Sequence, residues 1–240
     1  MRRAALLFSF VLSLAAPAYA QGDEIVVTAS RYLERYEDAP VPQIAVVRRA
    51  DFVVAQVWIE SDTRDLAARR EELLQTLREV ERRARATGPV TVALLEESDD
   101  DSGETRVKPY TLEAAQAQIV GGTRPDTSRV AILLRTAVRA DDALATAEER
   151  LDAFMRGVPR PGRVTVGFGE PGLTIVDPGQ YRGAIVAAIA ADARAIVAAV
   201  GPGHAIRIEG LESRIAWRRS ADLELTLYIP HRLQIVPARE

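Results

Sequence analysis

The sequence predicts an α+β fold: a mixed or antiparallel sheet packed against about three long helices. Three stretches carry apolar residues at helical spacing and end at glycine or proline, with short alternating runs between them. Beyond Gly201 only strand-like runs follow, which favours antiparallel pairing over a doubly wound parallel sheet.

The chain opens with Met1-Arg-Arg, an apolar run over 4–15 and Pro17-Ala-Tyr-Ala20. A positive start, a short apolar stretch and an Ala-x-Ala ending read as a secretory signal peptide over 1–20, cleaved after Ala20. The run is too short to span a bilayer of roughly 30 Å. No cysteine follows it, which excludes a lipoprotein. No later run is expected to cross a membrane, because Arg182, Asp192 and Arg194 interrupt the alanine-rich helix. An exported, soluble product is expected.

Removal of Arg2 and Arg3 takes the net charge from −3 to −5, because residues 1–20 hold no acids. A mildly acidic exported chain suits neither nucleic acid nor an anionic membrane surface. With no cysteine, the fold cannot rest on disulfides or thiol chemistry. Stability has to come from a packed core, which a mature chain of roughly 220 residues can bury.

Residues 21–42 read as an extended arm. Glu24-Ile-Val-Val-Thr-Ala-Ser30 is β-prone, followed by a charged stretch and cut off by Pro40 and Pro42. Residues 43–236 form the α+β domain, and 237–240 a tail. Strands are predicted over 43–47 and 52–60, the second with Val53, Ala55, Val57 and Ile59 on one face. Ser61-Asp62-Thr63 is predicted to cap a helix of roughly 24 residues, which Gly88-Pro89 ends. Strand 90–95, polar loop 96–104, strand 112–120, turn 121–126 and strand 128–136 follow. Asp141-Asp142 is predicted to cap a helix over 143–156. Strands 163–168 and 173–176 flank a Gly/Pro turn.

The helix over 178–200 is opened by Asp177-Pro178 and closed by Gly201-Pro202. Ile185, Val186, Ile189, Ile196, Val197 and Val200 make its core stripe. The opposite face carries Ala184, Ala187, Ala191, Ala195 and Ala198, with Arg194 almost its only charge. A solvated helix face carries lysine, glutamate and arginine, so this one is predicted to be covered by another element or another subunit. Strands over 205–209, 214–217, 223–229 and 233–236 complete the chain.

Candidate chemistry is sparse. Gly167-Phe-Gly-Glu-Pro-Gly172 has dinucleotide-motif spacing, but Pro171 and a following strand favour a turn, so no cofactor is expected. The acidic run 96–104 fails as an EF-hand loop, because Ser98, Ser102 and Pro109 stand where ligands belong. His204 and His231 lack metal-ligand spacing, and no metal is expected. Arg214, Arg218 and Arg219 around Trp217 read as salt-bridged sheet surface. Nothing nominates a nucleophile, and the expectation is a protein without catalytic residues.

Ala190-Ala191-Asp192-Ala193-Arg194-Ala195, followed by Gly201, resembles the late-helix signature of the SIMPL-domain family. Pro42-Gln-Ile-Ala-Val46 and Ala50-Asp51-Phe-Val-Val-Ala55 resemble that family's opening strand and its pre-strand aspartate. Arg48-Arg49 replaces the usual glycine-rich turn, and the lysine after the Asp-Ala-Arg piece is absent. The resemblance implies a periplasmic α+β protein, tied to envelope or oxidative-stress defence. Some members of the family form ring-like or channel-like oligomers, so a homo-oligomer is implied. A shorter resemblance links Glu24, Ile25, Val26, Val27 and Thr28 to the TonB-interacting segment of TonB-dependent receptors. It implies an envelope protein partner for the arm, although the plug and barrel of such receptors cannot fit this chain.

The exported product is expected to begin at Gln21. Its intact mass checks this, and a periplasmic product that retains Met1 contradicts it.

Overall fold

The computed structural model describes residues 24–27, 44–97, 105–122 and 124–238. Signal segment 1–20, most of arm 21–42 and residues 98–104 of the acidic run 96–104 lie outside them; Glu96 and Glu97, expected in that loop, end a strand instead. The fold is α+β, and all its strand pairs are antiparallel among the described residues.

Strand β1 is Glu24–Val27, β2 Val46–Arg49 and β3 Phe52–Ser61. Helix α1 is Leu66–Thr87, followed by β4 Val90–Glu97, β5 Thr105–Pro109, helix α2 Leu112–Ala117, β6 Val120–Gly121 and β7 Ser128–Ala137. Helix α3 is Leu144–Arg156, β8 Val164–Phe168 and β9 Gly172–Val176. A 3-10 turn, Pro178–Tyr181, leads into helix α4, Arg182–Val200. Strands β10 His204–Glu209, β11 Ala216–Ala221, β12 Glu224–Tyr228 and β13 Arg232–Pro237 finish the chain.

The largest sheet returns on itself. Each step of the circuit β3-β7-β4-β5-β1-β9 is hydrogen-bonded, and β9 pairs back with β3. Strand β3 is its spine: all ten residues pair with β7, while its other edge takes β9 at Phe52–Val54 and β8 at Val57–Ser61. Val53, Val57 and Ile59 are fully buried on the face that meets α1 and α3, beside Leu73, Leu77, Leu151 and Met155. A smaller cluster, Val54, Ala93 and Leu133, occupies the other face of the same strands. A separate sheet, β2-β12-β11, and the pair β10–β13 carry the rest.

Several expectations are corrected. The stretch 112–120 is helix for its first six residues, because the Thr111 hydroxyl accepts from Ala114 N–H at 3.1 Å and three alanines favour helix. Asp65, not Ser61-Asp62-Thr63, caps α1, accepting from Ala68 N–H at 2.8 Å. Asp142 does not cap α3; its carboxylate binds Arg150 instead, at 2.5 and 2.7 Å, and accepts from Arg139 N–H. The Gly/Pro stretch 169–171 is no hairpin turn. Strands β8 and β9 run in line along the same edge of β3, and Gly169 N–H still bonds Gln56 C=O at 2.8 Å. A side chain at Gly169 would stand 2.9 Å from the Trp58 ring, which accounts for one glycine of the motif by packing.

Arg150 also donates to Thr136 and to Ala137 C=O, tying α3 to the end of β7. Its guanidinium holds the Asp142 carboxyl down at about 2, against an ordinary 3.8. A carboxyl lowered in the folded state stabilises above its unfolded value, and that contribution is lost as pH falls toward 2. Asp142→Asn is expected to cost on the order of 2 kcal/mol at neutral pH, with the gap to wild type closing between about pH 4 and 2. Melting curves across that range check it; a gap independent of pH contradicts it.

Candidate interaction surfaces

Helix α4 reaches the core through few residues. Only Ile185, Ile189 and Ala193 are buried, while Val186, Ile196 and Val197 are half-buried and Val200 is 37% exposed. The predicted core stripe is therefore too long: the last two turns run past the core. Arg182 anchors the start, donating to Ser213 C=O at 2.8 Å and to Leu211 C=O. Gly201 closes the end, its N–H bonding Val197 C=O at 3.1 Å with φ 97°, a conformation glycine adopts without strain.

All five residues of the alanine face, Ala184, Ala187, Ala191, Ala195 and Ala198, are exposed. No described element covers them, so of the two predicted covers another described part of the chain is excluded. Beside the stripe, Ala193, Arg194, Val197, Ala198 and Ile206 line a shallow groove between α4 and β10. Ile235, opposite Ile206 in the β10–β13 pair, is 54% exposed and extends the apolar surface. The stretch Pro178–Val200, 23 residues, is also long and apolar enough to cross a membrane, by length and composition alone. That corrects the expectation that no run after the signal segment meets this measure.

The second surface is the slot between β5 and β9. Strand β1 fills it, with Glu24 opposite Val176, Ile25 opposite Ile175, Val26 opposite Thr174 and Val27 opposite Leu173. On its other side Ile25 stands opposite Arg106. Thr174 C=O accepts from Asp51 N–H, and Val176 N–H donates to the Asp51 carboxylate at 2.7 Å, so these two residues direct their backbone toward β3. By strand alternation, Leu173 and Ile175 present theirs to β1. The predicted arm residues Glu24, Ile25, Val26 and Val27 thus lie in their own sheet, while Thr28 lies outside the described residues. A partner that takes the arm has to draw it out of this slot.

The polar clusters act as clamps. Asp62 binds Arg163 at 2.6 and 3.1 Å and Arg124 at 3.2 Å, and the Arg163 hydrogen bonds hold its carboxyl below the usual range. Burial raises the Glu72 carboxyl, but the hydroxyls of Ser61, at 2.6 Å, and Thr63, at 2.8 Å, outweigh it and hold the group low. Ser61 is fully buried and spends its proton on Glu72. The buried Arg69 donates to Thr63 C=O, Arg64 C=O and the Ser128 hydroxyl, fixing α1 to the ends of β3 and β7. His204 starts β10, exposed, and His231 shares a hydrogen bond with Ile229 C=O. Arg219 donates to Ala221 and Asp222 carbonyls, and Trp217 beside it is buried. Among the described residues no three of His, Cys, Asp and Glu converge as metal ligands.

Comparison with protein-family models, with curated proteins and with solved structures found no match.

Deleting residues 21–27 is expected to strip hydrogen-exchange protection from the amides of Leu173 and Ile175, and to spare Val176, whose partner is Asp51. Equal protection in the two chains contradicts the slot.

Proposed function

We propose that the chain is an exported, non-enzymatic, SIMPL-like protein of the periplasm that acts by assembling with copies of itself in envelope or oxidative-stress defence. The observation that carries this reading is the exposed alanine face of α4, which no described element covers. Most helices that line a domain turn charge toward water; this one turns five alanines. Small side chains let a second backbone approach closely, so such a stripe makes a close helix contact.

The spacing suits a second copy. The stripe runs in steps of three, four, four and three residues, symmetric about Ala191. An antiparallel copy placed on a two-fold axis at Ala191 sets Ala184 against the partner's Ala198 and Ala187 against the partner's Ala195. An isologous interface has this self-complementarity. The exposed Val200 and Ile235 beside the stripe add apolar area at each end. The Asp192-Ala-Arg194 resemblance supports the envelope role on the same helix.

Ala191→Glu and Ala198→Glu each place a charge in the proposed contact, where burial without a partner is costly. Each is expected to weaken association at least tenfold, read as a fall in solution mass by sedimentation, with the melting of the isolated subunit unchanged. Wild-type mass in both variants overturns the reading.

A further inference from the structure

We propose that the β5–β9 slot is a strand-acceptor site, and that β1 of a second copy of this chain occupies it in the assembled protein. The inference rests on the proposal that copies meet, and adds what passes between them.

The circuit of six strands is closed by its shortest member. Strand β1 has four residues, against ten each in β3 and β7. It is remote in sequence from both neighbours, β5 and β9, and its register with each is defined. The slot therefore recognises an extended segment by main-chain hydrogen bonds on both edges, from Leu173 and Ile175 on one side and β5 on the other. The one sequence shown to fit is Glu24–Val27, and a second copy carries it by construction.

The connection has the length for exchange. Val27 stands opposite Leu173, which stands opposite Val53, so the end of β1 is two strand spacings, about 10 Å, from β3. Eighteen residues, 28–45, join β1 to β2, a length of chain that spans at most about 60 Å. Connections within compact domains are far shorter than these eighteen residues. The connection ends at Val46, at most about 25 Å of chain from Val53, so its own slot asks for no more than about 35 Å, and the surplus length lets the same strand reach an adjacent subunit's slot. The exchange adds no new contact; it transfers an existing one across the interface, as in domain swapping.

The absence of cysteine from the sequence allows a clean test. Glu24 and Val176 are directly opposite and form a non-hydrogen-bonded pair by the alternation above, the geometry that suits an engineered disulfide. Full-length chains carrying Glu24→Cys alone and Val176→Cys alone, distinguished by a mass tag, are mixed, refolded together and oxidised. The arm of one chain in the slot of the other holds these two thiols together and favours the mixed disulfide over both like-chain disulfides. The proposal expects the mixed band in place of the like-chain bands; a statistical mixture of the three overturns it. The double variant in a single chain, verified by circular dichroism, reports occupancy within one molecule. Cross-linking only within the double variant overturns the proposal, as does no cross-link anywhere. Native mass separates the two readings. A protein that assembles yet gives no mixed band overturns the exchange and leaves the helix contact standing. A mixed band that survives Ala191→Glu supports the exchange even where the helix contact has failed.

Discussion

The junction at Ala50-Asp51 is the constraint on which the architecture depends. Ala50 N–H bonds Leu223 C=O in the β11–β12 turn of the small sheet, and Asp51 N–H bonds Thr174 C=O in the large sheet, each at 2.9 Å. Asp51 C=O accepts from Val138 N–H at 2.9 Å, and its carboxylate takes Val176 N–H at 2.7 Å. Two residues thereby carry the chain from one sheet to the other and fix the start of β3 against the ends of β7 and β9. A carboxylate bonded to a backbone N–H makes a strong, directional contact. The same bond turns the Val176 backbone toward β3 and leaves the Ile175 backbone for β1, so the slot inherits its polarity from Asp51.

From that junction the two surfaces follow. Val176 leads within two residues into the turn that starts α4, and Asp177 there adopts φ 45°. Arg48, just before the junction, lies over the Tyr181 ring at 5.2 Å, and Arg182 holds the next residue to the loop before β11. The first turns of α4 are therefore tied down through side chains. Its last turns reach beyond the sheet, with β10 beside them and apolar residues facing outward. Strand β9 connects the two surfaces: its edge lines the slot from Leu173 to Val176, and its end leads into α4.

The long periodic elements were legible in the sequence. Strands β3 and β7 and helices α1, α3 and α4 announce themselves by apolar spacing and by glycine or proline stops, because one face of each is buried. Residues 112–120 were misread because alternation and helical spacing are hard to separate in an alanine-rich stretch; the Thr111 cap was the available signal. Asp142 and Ser61 look like caps by type and position, but nearby Arg150 and Glu72 claim them, a tertiary effect that spacing does not contain. The in-line run of β8 and β9 was hidden for the same reason: a glycine-proline break marks an interruption, and only the partner strand decides whether the chain turns. The alanine face was legible as an anomaly, while the circuit that β1 closes was not, since its register depends on β5 and β9, far away in sequence.

The central claim is that the alanine face of α4 is a contact between copies, and thiol accessibility at its midpoint tests it most directly. Ala191→Cys introduces the only thiol in the chain on the proposed two-fold axis. The account predicts slow labelling at concentrations where the protein is assembled, rising on dilution to the rate of a free helix surface. Fast labelling that is the same at every concentration would contradict it.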